Sequence, residues 1–408
     1  MQDIIFEDPY EFIPPDRGLF WLNLIQRFKL YNPWLRRVEG VTSWETRDAE
    51  KIRASLDAGF AVILAPNHCR AADPLAMGYL AGDADTPIYA MAGWHLFKQS
   101  WFMGWAIRRM GGFSVYREGV DRQAIHMAIE ILRTAERPLV IFPEGIVSRT
   151  NDRLHAMLDG VAFIARTGAK RRAKEVPGPA GKVVIHPVAI KYLFRGDLRK
   201  AATPVLARIE KRLAWHTQDD LPLVPRIAKV GMSLLALKEL EYFGETLAGS
   251  LAQRLDRLVN RMLTPLEEEW LGAPGEGPAP PRVKALRFKI LPDMVQRRID
   301  DKERARRWRQ LEVMYLAQQV SCYWPDYLEG DPTVERLLET VERFEEDLTD
   351  KCTVHGNLHV ILEAGDPIEV SPDRPRGVKT DPLMTTLRDA LQGMLDELAK
   401  EGTVWREK

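Results

Sequence analysis

His68 and Asp73 are separated by four intervening residues in Asn67-His68-Cys69-Arg70-Ala71-Ala72-Asp73-Pro74, where an apolar run gives way to a helical pattern. A turn of that length can bring an imidazole against a carboxylate. The carboxylate fixes the tautomer through one ring nitrogen and raises the basicity of the other, which can then take a proton from an attacking hydroxyl. This is the histidine–aspartate half of a triad, with the substrate supplying the nucleophile. Asp73 before Pro74 also reads as a helix N-cap followed by the first helical position. Taken alone, the spacing favours that plainer reading, because eight histidines among 58 acidic residues produce it often by chance.

A second group, Phe142-Pro143-Glu144-Gly145-Ile146-Val147-Ser148-Arg149, follows the apolar Leu139–Phe142. Gly145 permits a tight turn with outward-facing backbone N–H groups, which suit an oxyanion or a phosphate, and Glu144 can take a hydroxyl or a basic partner. On its own this is an ordinary strand-to-loop turn. Cys69 beside His68 invites comparison with a nucleophile and its base, but neighbours on an extended chain point to opposite faces. His355 and His359 have metal-like spacing only on a helix, and Gly356 with the β-rich text after it argues against one. Gly111-Gly112-Phe113 lacks the full dinucleotide fingerprint.

These residues need strands and helices to hold them. From Phe60 to Phe194, five short β-type runs (AVILAPN, PIYAMAG, GGFSVYR, PLVIFPEG and KVVIHPVAIKYLF) alternate with helical stretches at Pro74–Gly82, His95–Met110, Asp121–Glu136 and His155–Ala173. That order predicts an α/β fold with a largely parallel or mixed sheet, and a site at the strand ends that face one way. From about Leu198 to Asp350 the text is helical, interrupted by the Gly/Pro-rich Gly272–Arg282, and strand-like text returns at Leu358–Val370 before a last helix from Asp381. The expected organisation is an N-terminal amphipathic segment at 1–56, an α/β core at 57–197, a large α-helical insertion at 198–350, and a strand and helix at 351–408 that complete the core. No internal repeat of the solenoid kind is evident in the text.

Taken together the motifs resemble a known family. NHCRAAD at Asn67–Asp73 is similar to the histidine-x4-aspartate motif of the glycerolipid (1-acylglycerol-3-phosphate or lysophospholipid) acyltransferases, and FPEG at Phe142–Gly145 to their third motif. MGGFSVYRE at Met110–Glu118 resembles the second motif and HPVAIKY at His186–Tyr192 the fourth, while AGDPIEV at Ala364–Val370 looks like a late family strand. The resemblance covers about Asp57–Phe194. It implies His68 as general base, Asp73 as its orienting carboxylate, Arg117 as a ligand for the acceptor's phosphate, and Glu144 and Gly145 as acceptor-positioning residues. An arginine suits phosphate because its fork of donors matches the oxygens. The family commonly continues its third motif as Thr-Arg-Ser; here Ile146-Val147 intervene, and Ser148 and Arg149 are the residues available for that substrate contact.

Lysine plus arginine equals aspartate plus glutamate, 58 each, so no overall field draws the chain to nucleic acid. Cys69, Cys322 and Cys352 are too few and too scattered for a disulfide framework, and no secretory pattern opens the chain, so a cytoplasmic setting is expected. No window approaches the roughly 20 apolar residues of a spanning helix. Gly18–Gly40 interleaves Phe20, Trp21, Phe28 and Trp34 with Arg27, Lys29, Arg36 and Arg37, the composition of an interfacial helix, which predicts peripheral contact at the inner face of the cell membrane. Arg282–Arg309 holds eleven Lys/Arg against four Asp/Glu, a basic excess suited to anionic lipid or an acidic acyl carrier protein, or simply to a solvated face. The implied donor is an acyl thioester, acyl-CoA or acyl carrier protein, with no metal or other cofactor. The alternatives are glycerol 3-phosphate or a non-phosphorylated lipid as acceptor, or a lipid-binding protein without turnover.

Overall fold

The computed structural model describes residues 7–375, 377–378 and 380–407. They fall into two units. One comprises Tyr10–Arg195 and Val354–Glu401, and the other gathers Gly196–Thr353 with the described parts of 1–9 and 402–408.

The first unit is α/β. Its strands are β1 (Val41–Arg47), β2 (Ala61–Pro66), β3 (Tyr89–Gly93), β4 (Gly112–Val115), β5 (Leu139–Val140), β6 (Val183–Phe194), β7 (Leu358–Ala364) and β8 (Ile368–Glu369). They form one mixed sheet in the order β1-β7-β6-β2-β5-β3-β4, with β8 on β6. β6, β2, β5, β3 and β4 are mutually parallel, while β7 runs antiparallel to β6. The helices are α1 (Phe20–Phe28), α2 (Asn32–Val38), α3 (Ala49–Asp57), α4 (Asp73–Asp83), α5 (Trp94–Lys98), α6 (Trp101–Arg109), α7 (Arg122–Thr134), α8 (Gly160–Glu175) and, after the helical unit, α15 (Pro382–Ala399). Ala61, Ile63 and Ala65 of β2 share a core with α7, α8 and the start of α15. Strand alternation turns Val62 and Leu64 to the opposite face, where α3 lies on β2 and α4 on β7 and β1. Cover on both faces explains why all six residues of β2 are buried and why its text is apolar throughout.

Three local expectations change. Val41–Arg47, within the stretch expected to be amphipathic, is an edge strand paired in parallel with β7. Its alternating polar residues suit a half-exposed strand and hide it from a search for apolar runs. The single helix expected at His95–Met110 is two, because Ser100 is extended and caps α6 by accepting Met103 N–H. Gly18–Gly40 is likewise two short helices, parted where Lys29 adopts a left-handed conformation.

The second unit is all helix among its described elements: α9 (Leu198–Arg212), α10 (Leu223–Phe243), α11 (Leu251–Leu271), α12 (Ala279–Val295), α13 (Asp301–Val320) and α14 (Val334–Thr349). A device recurs in it that the text did not reveal. Near the end of one helix a buried glutamate accepts the N–H of the residue eight positions on, in the loop, and a two-point contact from an arginine at the fourth position of the next helix. The sets are Glu210 with Gln218 and Arg226, Glu239 with Leu247 and Arg254, and Glu267 with Gly275 and Arg282. Six guanidinium contacts of 2.7–2.8 Å make three charge-assisted clamps, each closing one helix turn-around. Gly275 is required at its place, since a Cβ there would lie 2.4 Å from Glu267 Oε1. The expectation of no internal repeat is corrected to this extent: α9–α12 repeat a buried clamp at intervals of about 28 residues, while the surrounding side chains vary.

The basic stretch at Arg282–Arg309 also changes character. It is broken between α12 and α13, and Arg282, Arg304, Arg306 and Arg307 are all ion-paired, with Glu267, Glu7, Glu303 and Glu269, and Glu303 and Asp293 respectively.

Candidate active site

The C-terminal ends of the parallel strands carry the residues singled out in the sequence. His68 follows β2, Glu144 and Gly145 follow β5, and Arg117 follows β4. β6 outruns its neighbour: β2 pairs with it only as far as Val188, and its last residues continue beside the loops that hold the site. Two asparagine side chains stand in for the missing strand. Asn67 exchanges both amide hydrogen bonds with the backbone of Ile190, and Asn151 does the same with Tyr192. Buried backbone groups are thereby satisfied where the sheet stops.

His68 Nδ1 and Asp73 Oδ2 are 2.9 Å apart, with 8% and 0% of the two side chains exposed. The carboxylate also accepts Arg70 N–H at 2.9 Å on the same oxygen and the Tyr192 hydroxyl at 2.7 Å on the other. With an ionised aspartate, the network assigns the ring proton to Nδ1. Nε2 carries no hydrogen bond among the described residues and is left for a substrate. The His68 ring lies 4.2 Å, centroid to centroid, from Phe142, which limits its rotation. Asp73 is the first residue of α4 and has no capping bond; Ala72 occupies the N-cap position. The capping expectation is corrected accordingly: the carboxylate turns back to the loop before the helix, not to the N–H groups within it.

Glu144 is buried, and its two oxygens accept the backbone N–H of His68 and of His155, each at 2.8 Å. Burial pushes its carboxyl up to about 7, against the opposing effect of the two N–H groups. In this geometry Glu144 joins two loops and acts on the site through the main chain of His68. Gly145 has φ +68°, and a Cβ there would meet Leu158 at 2.7 Å, so the turn demands glycine. Ser148 and Arg149 donate their backbone N–H groups to the carbonyls of His68 and Cys69, at 2.8 and 3.2 Å, zipping the two loops together. The Ser148 hydroxyl is buried and bonded to the Thr150 backbone. Arg149 is half-buried with a left-handed backbone.

Arg117 is exposed. Its Nε and the His95 ring both crowd the point where Gly93 lacks a side chain, at 3.2 Å and 2.5 Å from a Cβ built there. Burial, and then the neighbouring guanidinium, push His95 down to about 4, so it is neutral near pH 7. Sequence reasoning did not single out His95, because nothing in its text distinguishes it from a helix-start histidine. It also missed Tyr192 as a partner of Asp73, although HPVAIKY was noticed as a motif. Cys69 is buried, with its sulfur 3.9 Å from Asp73 Oδ1 and 3.8 Å from Asn151 Oδ1.

Residues 44–191 match the protein-family model described as Acyltransferase. The matched acyltransferase segment runs from within β1 to Lys191 and includes His68, Asp73, Arg117, Glu144, Gly145, Ser148 and Arg149. It thus coincides with the sheet and loops that assemble the dyad, and it supports acyl transfer as the chemistry of this site. No curated protein matches the chain.

Proposed function

We propose that the protein transfers a fatty acyl group from an acyl thioester to a hydroxyl of a lysophosphatidate-like glycerolipid, with His68 as general base. The observation that carries this is the buried His68–Asp73 contact at 2.9 Å, within the segment matching the acyltransferase model. Nε2 of His68 takes the proton as the acceptor oxygen attacks the thioester carbon. The tetrahedral oxyanion then collapses, the C–S bond breaks, and the thiolate leaves and is protonated. Asp73 holds the ring and stabilises the imidazolium between these steps. Arg117 would take the acceptor's phosphate. Glu144 and Gly145 support the acceptor's position by fixing the loops on either side of His68.

One observation favours a second acceptor class within the same reaction. The Ser148 hydroxyl is bonded within its own loop and Arg149 sits on a left-handed backbone, in a third motif whose Ile146-Val147 depart from the family's usual Thr-Arg-Ser. A non-phosphorylated lipid fits that departure, whereas glycerol 3-phosphate, the other alternative acceptor, would still bring a phosphate to Arg117. Incubating the purified protein with labelled acyl-CoA and a lipid extract, followed by separation of the products, tests both readings. Absence of any labelled lipid and of any released thiol would leave only lipid binding.

A lipid acceptor must be met at a bilayer face. No helix among the described residues is long and apolar enough to cross a membrane. What supports peripheral docking is a cluster of outward-facing aromatic rings. Trp21 on α1 meets Trp105 on α6 edge to face at 5.1 Å, Phe20 adjoins Trp21, and Trp101 and Phe102 stack on Trp105. Phe20 and Trp101 are 72% and 81% exposed. Arg27 and Arg108 at the helix ends are exposed too, a pairing of rings and cations that suits an anionic lipid interface.

A further inference from the structure

Asp73 is an acceptor with more partners than a dyad requires. One oxygen serves His68 Nδ1 and Arg70 N–H; the other takes the Tyr192 hydroxyl at 2.7 Å. Tyr192 is itself immobilised, since its backbone N–H and carbonyl are both bonded to the Asn151 side chain, at 2.9 and 2.6 Å, and its ring is fully buried. The next residue back, Lys191, points to the opposite face and pairs with Asp152, fixing the same stretch of strand from the other side. The second half of β6 therefore exists at the site as a rigid rail that aims one phenol at one carboxylate.

We infer that Tyr192 is a positioning residue for the acyl-transfer site, acting through Asp73 on the orientation and basicity of His68; this rests on the reading of His68 as general base. A carboxylate held only along its His68 edge could rock about its Cβ–Cγ bond, taking the imidazole with it. A donor on the far oxygen removes that freedom. The phenol also directs the positive end of its O–H dipole at Asp73 and shares the carboxylate's charge, which tempers the pull of Asp73 on the imidazolium. The other titratable groups around this pair are Cys69 from the loop after β2 and Glu144 from the loop after β5, near the carboxylate, and the Arg70 guanidinium, whose charge acts on the Tyr192 hydroxyl. Arg70 lies 5.6 Å over the Tyr192 ring.

Tyr192→Phe keeps the ring and removes the donor. The expected result is a kcat reduced about 10-fold, with an acidic limb of the kcat/KM profile moved to higher pH, because the less-shared carboxylate holds the imidazolium more tightly. Asp73→Asn and the double variant complete the test. If Tyr192 works through Asp73, the double variant is no slower than Asp73→Asn alone. A Tyr192→Phe enzyme with wild-type kcat and an unmoved limb would overturn the inference, and so would losses that multiply in the double variant. His68→Ala separates the two levels of the argument. Full activity there would sink the general-base reading, whereas a dead His68→Ala beside an unaffected Tyr192→Phe would sink the positioning role alone. A loss of activity in Tyr192→Phe that tracks a lost thermal transition, with the limb unmoved among the folded molecules, also counts against it.

Discussion

Glu144 takes the backbone N–H of His68 at 2.8 Å, so the residue proposed as general base is steadied through its main chain by a carboxylate that does not engage its ring. The same carboxylate takes His155 N–H, and both contacts need an acceptor. Glu144→Gln turns one of them into a donor facing a donor. The substitution should cost about 1–3 kcal/mol of stability, the usual penalty for stranding a buried polar group, and should slow turnover as the His68 loop loosens. Urea unfolding alongside a turnover assay checks this; an unchanged midpoint would show that the carboxylate ties nothing.

The pH dependence of that contribution has a definite sign. The folded carboxyl titrates at about 7 and an unfolded one near its ordinary value of 4.5, so the native state binds more protons between those values. The contribution of Glu144 is therefore fully present below about pH 4.5 and is lost as pH rises through about 7. The stability gap between wild type and Glu144→Gln should accordingly narrow from pH 5 to pH 8, as followed by unfolding at each pH. A gap that widens with pH would contradict a raised carboxyl.

His68→Ala should lower the acyl-transfer rate roughly 10²- to 10⁴-fold, and Asp73→Asn nearly as much, with little change in folding. Asparagine can be accommodated, because the Tyr192 oxygen can accept from an amide that replaces Oδ1. Steady-state rates with a short-chain thioester, measured beside thermal melts, decide the matter, and a fully active variant of either kind would end the mechanism.

Arg117→Lys exchanges a planar fork for a point charge. It should raise KM for a phosphorylated acceptor more than for the acyl donor. If both Michaelis constants move together, Arg117 does not belong to the acceptor site.

Replacing Trp101 and Phe102 together by serine removes two rings from the first turn of α6 and should weaken binding to anionic liposomes, by about 1.5–3 kcal/mol per ring if each is buried like a large apolar side chain. Turnover of a dispersed short-chain acceptor should survive. Flotation gives the first quantity, and unchanged partitioning of the double variant would remove α6 from the docking surface.

Much of this site was legible because it lies where strong local signals coincide. The apolar runs that become β2 and β6 announce buried strands, and His68 and Glu144 follow such runs directly. What stayed hidden depended on pairing across the chain. Val41–Arg47 alternates like a loop rich in polar residues and becomes a strand only because β7 lies beside it. Asp73 before Pro74 has the form of a cap, and only the positions of His68, Arg70 and Tyr192 show which way its carboxylate turns. The Glu–Arg clamps are single residues spaced too widely for any local pattern to expose.

Those clamps carry a consequence for how this chain can change in length. Each one is closed by residues of two successive helices and their own loop, with no partner from a more distant helix among the described residues. Gaining or losing a few residues inside a helix would turn a buried glutamate away from its arginine and leave both charges stranded. Gaining or losing one whole hairpin would leave every other clamp as it was. The helical unit is thus tolerant of revision in blocks and intolerant of it in fragments, a grammar written by three ion pairs.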